Sequence, residues 1–241
     1  MGTSTRNEGP NWGGGHKNKV TQSCSSGGAT EGTARDVLGD YIQRNGGSRS
    51  ISRGGGKIGS EKSAQRTGRN IAQFTSRVQE RGLDQALDDF GLGNLVGESA
   101  ENVVYGLVNR LCEDGGPLDE VYGREALFDL YDEMLEEADS YEDVEEILEQ
   151  DMKYDELESI LSKFFGHYLY HEFCNIHYER LAKKRGDQTA REYMADIRSF
   201  MQAEIENKTY DRDISDIDWE GEDGKNIIEE VHESTLHVFE K

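Results

Sequence analysis

Ser99-Ala100-Glu101-Asn102-Val103-Val104-Tyr105-Gly106-Leu107-Val108-Asn109-Arg110-Leu111-Cys112-Glu113-Asp114-Gly115-Gly116-Pro117-Leu118-Asp119-Glu120-Val121-Tyr122 decides the fold class. Val103, Val104, Leu107, Val108 and Leu111 recur at i, i+1, i+4, i+5 and i+8, which places them on one face of a helix. Gly115-Gly116 permits the positive φ of a helix C-cap. Pro117 has the fixed φ of a first helical turn, and Asp119 and Glu120 put negative charge where a helix N-terminus favours it. A second helix then carries Leu118, Val121, Tyr122, Leu127, Leu130, Tyr131, Met134 and Leu135. Helices joined this briefly are antiparallel neighbours. The stretch Glu98–Ala138 therefore reads as a hairpin at the centre of an all-α helical bundle.

Outward from the hairpin, the same periodicity recurs. Ile71, Phe74 and Val78 mark a helix that Gly82 breaks, and Leu83, Leu87 and Phe90 form a shorter one. Downstream, Val144, Ile147 and Leu148 mark a short acidic helix. A long helix from about Tyr154 to Lys184 presents Leu157, Ile160, Leu161, Phe164, Phe165 and Tyr168 on one face. Arg185-Gly186-Asp187 makes a turn. Tyr193, Met194, Ile197, Phe200, Met201 and Ile205 define the next helix. Ile227, Ile228, Val231, Leu236 and Phe239 define the last, after an acidic segment containing Trp219. No stretch alternates with period two, so no strand is expected.

Residues 1–60 read differently. Sixteen of the 28 glycines fall within residues 1–80, and a chain this rich in glycine buries too little apolar area to offset its ordering entropy. The expectation is a long, flexible, basic, Gly-rich arm (1–60) ahead of an acidic helical domain (61–241). One short helix is expected in the arm at 33–44, where Ala34, Val37, Leu38 and Tyr41 share a face; a docking segment and a transient helix fit these residues equally.

Charge divides the chain the same way. Residues 1–80 hold 12 Lys/Arg and 6 Asp/Glu, a net of +6; the remainder holds 15 and 43, a net of −28, giving −22 overall. The acidic body repels nucleic acid and anionic membrane. No run of about 18 apolar residues is present, and no charged-then-apolar leader opens the chain. Cys24, Cys112 and Cys174 are odd in number and scattered, which points to a reducing, cytoplasmic setting.

Chemistry-bearing residues are few. His167, His171 and Cys174 lie at i, i+4 and i+7 on one helical face. Such a face holds a metal if one or two further ligands join it, and on that reading the chain is a metal-binding enzyme or regulator. The aromatic neighbours favour plain packing instead. Asp114, Asp119 and Glu120 fit helix capping and first-turn electrostatics better than paired acid–base carboxylates. No P-loop, dinucleotide glycine motif or Ser-His-Asp order is visible, and no cofactor is expected.

The start, Met1-Gly2-Thr3-Ser4, permits removal of Met1 and leaves a glycine α-amine. Arg6 stands where N-myristoylation wants Ser or Thr. An α-amine with a pKa near 7.7–8.0 is partly neutral at physiological pH and is then a nucleophile. A plain processed terminus fits the same residues.

Together with the Gly- and Arg-rich arm, with Leu111-Cys112-Glu113-Asp114-Gly115-Gly116-Pro117-Leu118-Asp119-Glu120, and with Phe173-Cys174-Asn175-Ile176, that start resembles the QatB family, accessory proteins of the four-component Qat anti-phage defence system. The resemblance covers the first residues and roughly Ser63–Lys184. It implies a non-enzymatic protein working beside an ATPase, a TatD-like nuclease and a QueC-like enzyme. Enzymes of the QueC type use ATP to activate the carboxylate of 7-carboxy-7-deazaguanine and then transfer an amine to it. The resemblance implies that Gly2 is the amine acceptor, with partner contacts at Thr3, Ser4, Val37, Leu38, Tyr41, Asp114, Asp119 and Glu120. A plain scaffold or adaptor for the defence complex is the other role it allows.

Overall fold

The structure, a computed structural model, describes residues 14–24, 28–57, 61–112, 119–153, 156–208, 214 and 217–240. Among these are eleven α-helices and no strand. They are α1 (Gly14–Ser23), α2 (Glu31–Asn45), α3 (Ser48–Ser52), α4 (Glu61–Arg81), α5 (Leu83–Asp89), α6 (Ala100–Leu111), α7 (Asp119–Met134), α8 (Tyr141–Asp151), α9 (Leu157–Arg185), α10 (Asp187–Glu206) and α11 (Glu222–His237).

The local signals that start and stop these helices are readable in the residues. Ser99 caps α6, its hydroxyl accepting from the Asn102 amide. At α8, Ser140 and Asp143 cap each other reciprocally. Gly186, at φ +90°, ends α9 and lets α10 begin at the next residue.

The hairpin is present as α6 and α7, which pack on each other. Its connecting residues, with Asp114 and the Gly115-Gly116 cap, lie outside the described residues. The longest of the described helices is α9, against which α1, α4, α7, α10 and α11 all pack. Its 29 residues make a rod of about 43 Å. The first half of that rod (Leu157, Ile160, Leu161, Phe164, Phe165, Tyr168) belongs to an apolar core shared with α4–α8 and with Ile228 and Val231 of α11. The second half (Leu169, Phe173, Leu181) belongs to another, shared with α1–α3, α10 and Phe239.

That second core changes the reading of the N-terminal region. From Gly14 to Lys57 the stretch expected as part of an arm contributes three helices, with Val20, Ala34, Val37, Leu38, Tyr41, Ile42 and Ile51 all buried. The glycine count describes an average over the region. It misses that α2 alone carries four large apolar residues at helical spacing, each worth about 1.5–3 kcal/mol when buried. The helix expected at 33–44 is α2, and it is docked on this chain itself. Arg35 donates to the Val238 carbonyl at 2.9 Å and pairs with Glu204 at 2.7 Å. Val37, Leu38 and Tyr41, expected to meet a partner, are fully enclosed here, so no partner reaches them in this conformation.

Candidate functional site

The two groups of side chains with chemical potential both sit along α9. The first anchors α1, and through it the chain that leads to Gly2. In sequence α1 (GGHKNKVTQS) has little apolar content, so polar contacts do much of the holding. Arg180 donates to Asn18 at 2.8 Å, Arg185 to the Thr21 carbonyl at 3.3 Å, and Lys19 to the Asp36 carbonyl at 2.8 Å.

At the centre of this anchor is His16, only 1% exposed. Its Nδ1 lies 2.7 Å from Asp40 Oδ2, and Arg44 Nε donates to that same oxygen at 2.7 Å. Burial alone would raise the Asp40 carboxyl. The hydrogen bonds from Arg44 and His16 outweigh it and hold the group below its ordinary range. The His16 ring stands 4.9 Å from that of His177, also 1% exposed. Nε2 of each is buried without a hydrogen-bond partner among the described residues. Burial pushes both imidazoles below their ordinary pKa, His177 the further, with positive charge at His16 and Lys17 adding to it. Tyr41 closes the group by donating to Glu172 Oε1 at 2.6 Å. A His–Asp pair of this shape orients an imidazole, but with both rings enclosed no substrate reaches it. Its work is to fix α1 and α2 on α9.

The second group is the face with His167, His171 and Cys174. His171 Nε2 meets Asp129 at 2.8 Å and its Nδ1 meets Glu125 at 3.1 Å. His167 Nε2 lies 3.3 Å from Glu133, and Arg198 of α10 reaches Asp129 at 3.0 Å. Burial would raise Asp129 and Glu133, but the facing histidines, with Arg198 at Asp129, lower both. Cys174 does not complete this set. Desolvation pushes its half-buried thiol, hydrogen-bonded with Tyr170, up to about 12. Among the described residues no group of three or more His, Cys, Asp or Glu side chains is placed to hold a metal ion. Beside His167 is a cavity of 20 Å³, room for about one water. The face is a polar seam between α7, α9 and α10, with Arg198 paired to Asp129 at its centre.

The sequence reading did not bring His16, Asp40, Arg44 and His177 together, because they are spread over three helices and one of those was read as coil. The α7 carboxylates had a findable signal: Glu125, Asp129 and Glu133 repeat at i, i+4 and i+8, in register with His167 and His171. A cleft of 880 Å³ bordered by Arg77, Arg81, Arg110 and Trp219 was also not anticipated. Its Arg77 pairs with Glu80 at 3.0 Å and its Arg81 with Asp89 at 3.2 Å, so those two charges are met within the chain. Gly2, Thr3, Ser4 and Asp114 lie outside the described residues, and Asp119 and Glu120 form the first turn of α7. No described helix is long and apolar enough to cross a membrane.

No curated protein and no solved structure matches this chain. A family model described as QatB, Qat anti-phage system associated protein QatB, matches residues 46–239, from the residue after α2 to just past α11. By that match, over most of its length and nearly all of its helices, the chain belongs to the QatB family of the Qat anti-phage system.

Proposed function

We propose that this chain is a non-enzymatic component of the defence system that binds a QueC-like enzyme and presents the α-amine of Gly2 as acceptor for a 7-deazaguanine carboxylate. The observation that carries this reading is the anchor at α1. Helix α1 is pinned at His16, which meets Asp40 of α2 and sets its ring against Phe173 and His177 of α9. Eleven residues lie between Gly2 and Gly14, a reach of at most about 40 Å. A terminus tethered to a docked body meets an active site at a high effective concentration, and 40 Å is enough to enter a cleft on a bound partner. Family membership supplies the defence setting.

The chemistry balances simply. ATP activates the deazaguanine carboxylate on the partner enzyme. The neutral Gly2 amine attacks the carboxyl carbon, an amide C–N bond forms, the activating group leaves, and the amine gives up a proton to solvent. Glycine adds no side chain to obstruct the approach. The histidines along α9 take no part in this step.

The test is phage challenge of cells carrying the whole system with Gly2→Asp in this chain, which keeps Met1 in place. Loss of protection, with co-purification of the QueC-like enzyme retained, is the expected result. Full protection by Gly2→Asp would overturn the acceptor role.

A further inference from the structure

Three large apolar side chains stand out as exposed among the described residues: Val96 at 42%, Tyr105 at 60% and Val121 at 43%. All three lie on the α6–α7 hairpin or the turn before it. Between these helices runs a groove of 690 Å³, floored by Val104, Phe128, Tyr131 and Leu135. The Tyr105 ring stands beside it, 6.5 Å from that of Phe128. On α7, Val121, Phe128 and Asp132 follow at i, i+7 and i+11, one face of the helix, and Leu135 lies just past its end. Every charged side chain lining the groove is acidic: Glu101, Asp132 and Glu136.

An apolar floor with an exposed aromatic and a single-sign rim is the shape that receives an amphipathic helix. Charge decides its chemistry. Lys and Arg flanking its apolar stripe would meet Glu101 on one wall and Asp132 and Glu136 on the other, and an acidic or neutral helix would leave those carboxylates crowded against the interface. We infer that the α6–α7 groove is the docking surface for a Lys/Arg-bearing amphipathic helix supplied by another protein of the complex. This rests on the proposed function only in taking the QueC-like enzyme as the first candidate to supply that helix.

The test replaces Tyr105 with the photo-crosslinking residue p-benzoylphenylalanine in cells expressing the whole system, and maps the crosslinked peptide. At 60% exposure this site tolerates the change, and an unaltered thermal melt confirms it. A crosslink to a basic helix of the QueC-like enzyme supports the groove. A crosslink to a basic helix of the ATPase or nuclease supports it too, while removing the QueC-like enzyme as the occupant. Adding Glu101→Lys, Asp132→Lys and Glu136→Lys lowers the yield at least tenfold in either case. A crosslink only to residues 1–13 of this chain, only to a second copy, or to nothing overturns the inference. The adduct on Gly2 is read in the same cells, so the acceptor role stands or falls on its own mass.

Discussion

His232 carries no function in this account, and for that reason reports cleanly on the body. It is 3% exposed and stacks on Phe165 with ring centroids 4.2 Å apart. Its Nδ1 is buried without a hydrogen-bond partner among the described residues, and burial pushes its pKa from 6.5 down to about 3. The folded state therefore refuses a proton that the unfolded chain accepts. With more protons bound in the unfolded state, stability rises with pH; the full contribution is present above pH 6.5 and is lost as pH falls below it. His16 and His177 act in the same direction. Phe at 232 keeps the stacking and removes the titration. Denaturant unfolding of wild type and His232→Phe at pH 7.5 and pH 5 is expected to show the variant gaining about 2 kcal/mol on wild type over that interval. Parallel behaviour would mean that water reaches the imidazole.

At the scale of the element, α2 is where the sequence and the structure part most instructively. The hairpin, the α4–α5 break at Gly82, the long α9 and the turn at Gly186 were all legible, because apolar period and glycine punctuation coincide there. The apolar face of α2 was legible as well. What was not legible is that this face meets α9, α10 and the chain's own C-terminal residues, since no local pattern states which surface a helix finds. The short α1 was missed for another reason: its anchor is a buried imidazole on an aspartate, and hydrophobic periodicity is blind to that. Two measurements check the result. Hydrogen exchange of the amides in 34–45 is expected to be as slow as in the middle of α9; exchange at the rate of an unstructured chain would return this segment to an arm. A Cβ at Gly39 would lie 2.9 Å from the Phe239 carbonyl oxygen. Gly39→Ala is therefore expected to cost about 1–3 kcal/mol of stability, and a neutral effect would mean that α2 does not sit against the C-terminal residues.

At the scale of the whole molecule, the chain has a net charge of −22, and its described helices present an apolar groove at α6–α7 and a pinned α1. The candidate site was only partly legible. The proposed acceptor Gly2 is read from the first four residues, and the resemblance supplied the proposed reaction. The anchor around His16 emerged only from the packing of α1, α2 and α9. The measurement that tests the central claim most directly is the intact mass of this chain expressed alone and beside the proposed QueC-like enzyme, with fragmentation of the N-terminal peptide. The account predicts a deazaguanine-sized increment on the Gly2 amine, present only with the partner and absent from Gly2→Asp. An unmodified Gly2 in a stable complex would contradict it and leave the chain an adaptor.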